Sequence, residues 1–146
     1  MARNYYSEIN LHIVWHTKEN IPLLTSQIEP FVHDYLRSRL IKTPGVFVHE
    51  IGGTVDHVHL CISIPPTVLI CELVGQLKGA SVHEANQQFG AVNKILQWQA
   101  GYGVVSFGTQ HLEWVKRYVR DQKQHHGQGT MQPRLEQSYA VEDSAE

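Results

Sequence analysis

Two histidines separated by one hydrophobic residue, in the segment His57-Val58-His59, have the types and spacing best suited to chemistry. On a β-strand, side chains two positions apart face the same side, ~6.6–6.8 Å apart along the strand. Both imidazoles can then bind one ion, with bonds of ~2.0–2.1 Å if the ion resembles zinc. Val58 and Leu60 would point into the core. The Asp56 carboxylate is a candidate to accept a hydrogen bond from an imidazole N–H and so orient that ring. Alone, the pattern is more typical of histidines on a solvated strand face, and a catalytic ion needs a further ligand.

Tyr118 is the second candidate for chemistry, in a segment with helical spacing of apolar residues. Tyr118 and Gln122 are four positions apart and share one helix face. Basic residues surround the tyrosine at Lys116, Arg117, Arg120 and Lys123. Alone, these residues are typical of an amphipathic helix with a half-packed tyrosine ring and a solvated charged face. The co-occurrence of a histidine pair and a tyrosine with a nearby amide favours the functional interpretation.

The elements that must position these residues follow a β-α-β-β-α-β-α order. The predicted ranges are a strand at 8–17, a helix at 25–42, a hairpin at 45–51 and 55–64 with its turn at Gly52–Gly53, a helix from residue 67 with a second start near Ser81, a strand within 95–107, and a helix at 109–126. The first six elements match the ferredoxin-like, or RRM-like, antiparallel sheet. The predicted fold class is therefore α+β, with an additional C-terminal helix that carries the tyrosine.

The length of 146 residues suits one domain, which we place at residues 1–126. The polar residues 127–146 are expected to form a disordered tail. The net charge of −2 does not indicate a strongly basic nucleic-acid binder. Because the stretch from Met131 holds four of the 14 acids and one of the 12 bases, the remainder carries 11 bases and 10 acids, a charge of +1. Any DNA site must therefore be a local patch.

Cysteine usage and hydropathy predict a soluble cytoplasmic protein. Cys61 and Cys71 do not form a CxxC pattern and are expected to be reduced core thiols. The first residues lack a signal-peptide core, and no segment approaches the ~18 apolar residues of a membrane span.

Several sequence blocks together resemble a known family, the single-tyrosine HUH transposases of single-strand insertion sequences (the insertion-sequence-200/605 group and its REP-associated relatives). The blocks run in family order over about residues 10–126. They are His12-x-x-Trp15-x-x-Lys18, Asp56-His57-Val58-His59-Leu60 followed by Ile64-Pro65-Pro66, Leu77-Lys78-Gly79-x-Ser81, Trp98-Gln99-x-Gly101-Tyr102, and Tyr118-Val119-x-x-Gln122-x-x-His125-His126.

The resemblance implies a set of roles. His57 and His59 would be imidazole ligands of a divalent metal, Mg²⁺ or Mn²⁺, with Gln122 as the third ligand and Tyr118 as the nucleophile. The enzyme would cleave and rejoin single-stranded DNA at hairpin-containing element ends through a 5′-phosphotyrosine. It would be a homodimer in which the tyrosine helix of one subunit can serve the histidine pair of the other. The candidate DNA contacts are Lys78, Arg117, Arg120 and Lys123.

Three alternatives remain open from the sequence. The first is a domesticated REP-associated nuclease that cuts hairpins without moving itself. The second is a ferredoxin-like single-strand nucleic-acid binding module without catalysis, which would read bases by stacking on sheet aromatics. The third is a metallohydrolase of small substrates, which would not need Tyr118.

Overall fold

A computed structural model describes residues 4–90 and 94–138 of the chain. The strands are β1 (Ile9–His16), β2 (Phe47–Thr54), β3 (His57–Ile64) and β4 (Gly103–Phe107). The α-helices are α1 (Ile28–Ile41), α2 (Ile70–Phe89), α3 (Leu112–Arg120), α4 (Gln122–Gln128) and α5 (Pro133–Glu136). Two short 3₁₀ turns lie at Lys18–Asn20 and Thr109–His111. Within the described ranges, no helix is both long and apolar enough to cross a membrane.

The four strands form one antiparallel sheet in the order β2-β3-β1-β4. The central strands β1 and β3 pair along their whole length, from Ile9 opposite Ile64 to His16 opposite His57. Helix α1 connects β1 to β2 and helix α2 connects β3 to β4, so each helix joins two strands that are separated by a third. This is the ferredoxin-like arrangement, and the predicted α+β fold class is confirmed.

The main core lies between one face of the sheet and helices α1 and α2. In β3, Val58, Leu60 and Ile62 belong to this core, as the alternation of strand residues predicts. Helix α1 buries a stripe with helical spacing, made of Ile28, Val32, Leu36 and Leu40. The intervening residues of β3 face the other side of the sheet, where helix α3 packs.

The β2–β3 hairpin differs from its prediction at the turn. Strand β2 continues through Gly52 and Gly53 to Thr54, and the chain reverses at Val55 and Asp56. The predicted turn at Gly52–Gly53 is therefore wrong. Both glycines lie within the paired strand, where they allow close packing and do not reverse the chain.

Gly52 has a packing role against helix α3. A Cβ atom at this position would lie 1.9 Å from the carbonyl oxygen of Val119. The missing side chain lets the helix approach the sheet, where Val115 and Val119 pack against Cys61. Cys61 is thus a buried core thiol as expected, whereas Cys71 is exposed.

The predicted helix at 109–126 is divided in the structure. A 3₁₀ turn precedes α3, and α3 ends at Arg120. It is followed by Asp121, whose φ of −99° and ψ of 27° are not helical. Helix α4 begins at the next residue, Gln122, which is buried. The interruption separates the tyrosine helix from the helix that carries Gln122 and His126.

Helix α2 and the region after it also differ from their predictions. Helix α2 continues without a second start near Ser81, whose buried hydroxyl donates to the Lys78 carbonyl and accepts from the Trp98 indole N–H at 3.0 Å. Of the predicted strand region 95–107, the structure forms a strand at Gly103–Phe107. Tertiary hydrogen bonds therefore override the local capping pattern at Ser81.

Residues 127–138 depart from the predicted disorder. Helix α4 extends to Gln128, and residues 130–138, here called the tail segment, form helix α5 and return to the sheet face that carries the histidines. Leu135 is 8% exposed and anchors this segment in an otherwise polar stretch. The remaining predicted tail, residues 139–146, lies outside the described residues.

Candidate active site

Strand β3 places His57 and His59 side by side on the sheet face that α3 covers. The rings are 2% and 0% exposed, with centroids 4.9 Å apart. Nδ1 of His57 lies 2.7 Å from Oδ1 of Asp56 and 2.9 Å from Oγ1 of Thr54. Asp56 belongs to the turn, so the alternation of strand side chains does not prevent this contact. Because Nδ1 is engaged, Nε2 is the atom through which His57 can bind an ion.

His12, on the neighbouring strand β1, supports His59. Nε2 of the fully buried His12 lies 2.7 Å from Nδ1 of His59. Burial lowers the pKa of His12 to about 3 and that of His59 to about 4, so both rings are neutral near pH 7. A neutral imidazole is the form that binds metal, and its second ring nitrogen normally has a partner that fixes the ring.

Gln122, His126 and Glu136 bring further donor atoms to Nε2 of the histidine pair. Oε1 of Gln122 lies 3.3 Å from Nε2 of His57 and 3.0 Å from Nε2 of His126. Oε1 of Glu136 lies 3.4 Å from Nε2 of His57 and 3.2 Å from Nε2 of both His59 and His126. Three imidazoles, an amide and a carboxylate therefore meet at one place.

The spacing of these atoms fits the ligands of one divalent ion. Bonds of about 2.1 Å put neighbouring ligands about 3.0 Å apart in an octahedral shell and about 3.4 Å apart in a tetrahedral one. The separations between the oxygen and nitrogen atoms above span 3.0 to 3.4 Å. Ligand atoms of four of the side chains, His57, His59, His126 and Glu136, all lie within 4.8 Å of one another.

The ring of Tyr118 approaches the same cluster from α3. Its centroid is 6.0 Å from that of His59. The ring stacks between Trp114, at 5.6 Å, and His125, at 4.8 Å. The amide nitrogen of Gln122 donates to the Tyr118 carbonyl at 3.2 Å, which leaves the amide oxygen for the histidines. This hydrogen bond across the junction of α3 and α4 positions the tyrosine and the amide together.

The Tyr118 hydroxyl is covered by the tail segment. It donates a hydrogen bond to Oε2 of Glu136 and accepts the backbone N–H of Gln132 at 2.8 Å. The side chain of Tyr118 is 2% exposed. The candidate nucleophile and the candidate ligands are therefore joined by one carboxylate, whose two oxygens serve different partners.

The charges in the cluster are strongly coupled. Burial lowers the pKa of His57, but the Glu136 and Asp56 carboxylates outweigh it and the net shift is upward. Burial raises the pKa of Glu136, but hydrogen bonds from the histidines and from Tyr118 hold it well below its usual range. Burial, and the neighbouring Glu136 after it, raise the pKa of Tyr118 to about 12. The tyrosine is thus a neutral phenol in the DNA-free protein.

The four basic residues predicted to contact DNA fall into two groups. Lys78 donates to the carbonyls of Gln99 and Gly101, both at 2.8 Å, and Lys123 pairs with Glu29 at 2.7 Å. Lys78 thus ties α2 to the loop at residues 99–101, whereas Lys123 forms an ion pair at the surface and stays 66% exposed. Arg117 and Arg120 are exposed on α3, and Nε of Arg120 lies 3.3 Å from Asp121.

Three residues of the cluster had no assigned role in the sequence analysis: His12, His126 and Glu136. The signal for His12 is its place on the polar face of the alternating first strand. The signal for His126 is its spacing of four from Gln122, which puts both on one helix face. For Glu136 the only signal is Pro133, a helix-starting residue, followed by the apolar Leu135.

The chain is similar to transposases in sequence and in structure. Residues 5–122 match the family model described as IS200-like transposase. The ISDra2 transposase TnpA of Deinococcus radiodurans is 25% identical over 128 residues, which cover 83% of this chain and 89% of that protein.

Two solved structures share the fold. One, a candidate transposase from Deinococcus radiodurans R1, superposes with a TM-score of 0.66 at 23% identity and covers 82% of this chain and 94% of its own. The other, a REP-associated tyrosine transposase bound to a REP hairpin, has a TM-score of 0.62 at 15% identity, with 87% and 74% covered. Because the family model spans most of the sequence, including the histidine pair, Tyr118 and Gln122, the chain belongs to the IS200-like transposase family.

Proposed function

We propose that the protein is a metal-dependent transposase that cuts and rejoins single-stranded DNA through a 5′-phosphotyrosine on Tyr118. The observation that carries the proposal is the convergence of the Tyr118 hydroxyl with His57, His59 and Gln122 inside one chain. A binding module or a small-substrate hydrolase has no use for a buried tyrosine held against such a cluster. The proposed place of action is the cytoplasm.

The covalent step is an exchange of phosphodiester bonds. The Tyr118 hydroxyl gives up its proton as its oxygen attacks phosphorus. The bond from phosphorus to the 3′ oxygen breaks, and that oxygen takes up a proton to become a free 3′-hydroxyl, so one proton is released and one is taken up. In strand transfer, a 3′-hydroxyl attacks the phosphotyrosine and the Tyr118 hydroxyl is regenerated. Each step conserves the number of phosphodiester bonds, so rejoining needs no ATP.

His57, His59 and Gln122 are the proposed holders of the divalent ion, Mg²⁺ or Mn²⁺. When bound, the ion would polarise a phosphoryl oxygen and neutralise the charge that develops during attack. Asp56 and His12 orient the two imidazoles through their Nδ1 atoms. This support keeps both Nε2 atoms directed at one point.

The hydroxyl of Tyr118 must leave its present partners before it can attack. Gln132 and Glu136 occupy both hydrogen-bonding directions of the oxygen. A phosphorus atom in line with this oxygen therefore requires a displacement of the tail segment. The proposed DNA contacts that remain exposed for this approach are Arg117 and Arg120 on α3 and Lys123 on α4.

The proposed DNA substrate carries a hairpin, because a structural relative is bound to a REP hairpin. A labelled hairpin-bearing single strand with Mn²⁺ or Mg²⁺ should give a covalent adduct on a denaturing gel. Tyr118→Phe should abolish the adduct, whereas Tyr35→Phe, on α1, should leave it unchanged. An adduct that survives Tyr118→Phe, or none with the unaltered protein at any candidate element end, would refute the proposal.

We propose a homodimer in which each Tyr118 acts on the histidines of its own chain, since α3 packs on its own sheet. A mixture of the Tyr118→Phe and His57→Ala variants tests this arrangement. No adduct should form if each site is built from one chain. Restored cleavage would show that the tyrosine helix of one subunit serves the other.

A further inference from the structure

We infer that Glu136 of the tail segment is a carboxylate ligand of the metal ion in the DNA-free protein, in addition to His57, His59 and Gln122. The inference rests on the metal site of the proposed function and adds a ligand from a part of the chain that lies beyond the family match at residues 5–122.

The position of the Glu136 carboxylate suits a ligand of the same ion. Oε1 of Glu136 lies 3.2 to 3.4 Å from Nε2 of His57, His59 and His126. These are the separations that bonds of about 2.1 Å impose on neighbouring ligands of one ion. Oε1 of Gln122 lies at similar distances, 3.3 Å from Nε2 of His57 and 3.0 Å from Nε2 of His126. The carboxylate oxygen thus lies where it would bind the same ion as His57, His59 and Gln122.

The charge of the Glu136 carboxylate also suits a ligand of this ion. His57, His59 and Gln122 are neutral as ligands, so by themselves they leave both positive charges of the ion uncompensated in a buried site. Burial of an unpaired charge is costly, and an anionic ligand reduces that cost. Glu136 supplies the anion, since a carboxyl group is ionised near pH 7 and its Oε1 faces the imidazoles.

The two carboxylate oxygens of Glu136 contact different partners. Oε1 faces the imidazoles, whereas Oε2 accepts the hydrogen bond of the Tyr118 hydroxyl. Leu135, buried next to Glu136, and the Gln132 N–H bond to Tyr118 hold the carboxylate in this position. Glu136 would therefore connect a bound ion to the nucleophile through the two oxygens of one carboxylate.

Metal binding to the full-length, DNA-free protein tests the inference. The affinity for Mn²⁺ is measured by titration calorimetry for the unaltered protein and for Glu136→Ala, Glu136→Gln and His57→Ala. Loss of an outer-shell partner alone weakens metal binding by ~10–100-fold, so Glu136→Ala should weaken it by at least about tenfold. Glu113→Ala, a change at an exposed acid on α3, is the matched control and should have no effect.

The water proton relaxation of bound Mn²⁺ separates a ligand from a nearby charge. If Glu136 is a ligand, Glu136→Ala admits water to the vacated position and the relaxation rate rises, while Glu136→Gln, which retains an oxygen donor, lies between. A lower affinity with unchanged relaxation would mean that Glu136 acts only through its charge, and this result overturns the inference. An affinity within about twofold of the unaltered protein would also overturn it.

The two proposals fail in different ways. If Mn²⁺ binding is lost in His57→Ala but retained in Glu136→Ala, the metal site of the proposed function stands and only the ligand role of Glu136 is wrong. If the unaltered protein does not bind Mn²⁺, the metal site itself is wrong. Thermal unfolding of each metal-free variant identifies any loss of binding that is due to misfolding.

Discussion

Strand β3 and the tail segment both deliver side chains to the candidate site, but they are held in place by different means. Strand β3 is paired with β1 on one side and with β2 on the other. Its alternate residues, such as Val58 and Leu60, are locked in the main core. His57 and His59 therefore have almost no freedom to move relative to the sheet.

The tail segment is held by a few side-chain and backbone contacts instead. Leu135 is buried, Gln132 donates to the Tyr118 hydroxyl, and the Glu136 carbonyl oxygen lies 3.3 Å from Nε2 of His16. One side of the site, here called the rigid wall, is the sheet around His57 and His59 with α3 packed on it. The other side is the tail segment, residues 130–138, here called the detachable wall because we expect it to leave the site before the sheet unfolds. Substitution of the histidine side chains of β3 should lower DNA cleavage while the domain stays folded. Substitution of the buried residue of the tail segment should free that segment from the sheet without unfolding the rest of the domain.

The largest effect is expected for His57→Ala. Because the sheet hydrogen bonds do not involve the side chain, the variant should fold while DNA cleavage falls by at least about 100-fold. Adduct yield and thermal unfolding are measured together. His83→Ala, at an exposed position of α2, should leave both unchanged. A fold that collapses in His57→Ala would contradict the rigid-wall interpretation.

Acidification should destabilise the metal-free strand region. The folded-state pKa of His12 is about 3, below the usual value of 6.5, because burial disfavours its charge. The unfolded chain thus binds more protons, and stability falls as the pH drops from about 6.5 toward 3, by up to about 1.4 kcal/mol per pH unit. His57 has the opposite effect, because the Glu136 and Asp56 carboxylates raise its pKa above the usual 6.5. Its contribution to the free energy of unfolding is fully present below about pH 6.5 and is lost as the pH rises through its folded-state pKa.

Urea unfolding between pH 4 and 7 in the presence of a chelator measures this dependence. The His12→Gln variant should show a shallower loss of unfolding free energy on acidification than the unaltered protein. An equal slope in both proteins would mean that His12 is not a buried neutral ring.

Gly52→Ala should test the packing of α3 on the rigid wall. Its Cβ would meet the Val119 carbonyl oxygen at 1.9 Å, and such overpacking costs about 1–3 kcal/mol. The displaced helix should also carry Tyr118 away from the histidines and lower the adduct yield. The matched control is Gly79→Ala in α2, where an added Cβ meets nothing within 4 Å. That change should stabilise the protein by up to about 1 kcal/mol.

The smallest global effect is expected for Leu135→Ala, which weakens the anchor of the tail segment. The segment should detach while the sheet remains folded, so the global free energy of unfolding changes by less than about 1 kcal/mol. Hydrogen exchange at residues 130–138 should rise relative to Met131→Ala, a change at an exposed residue of the same segment. Cooperative unfolding of the whole domain at a lower temperature would contradict the detachable-wall interpretation.

The rigid wall could be predicted from the sequence in large part. The alternation around Val58 and Leu60 identifies β3 and puts both histidines on one face, and the spacing of Tyr118 and Gln122 puts them on one helix face. The turn at Gly52–Gly53 was mispredicted because glycine favours both turns and close backbone contacts. Only the neighbouring helix distinguishes the two roles.

The detachable wall could not be predicted, because no local periodicity describes it. Residues 127–138 were expected to be disordered from their polar composition, and one buried leucine is too weak a signal to oppose that expectation. The division of the last helix at Asp121 is not predictable from the sequence for a similar reason, since neither proline nor glycine stands at Asp121 and the residues of α4 carry no apolar pattern that would mark its start.

The sequence by itself determined which residues are chemically competent and which of them share a face, since strand and helix periods are local properties of the chain. Only the tertiary structure decided which distant residues meet them. His12 reaches His59 across 47 positions through strand pairing, and Glu136 reaches it across 77 positions through the return of the tail segment. Such contacts depend on the packing of whole elements, and that packing depends on the entire core rather than on any one segment.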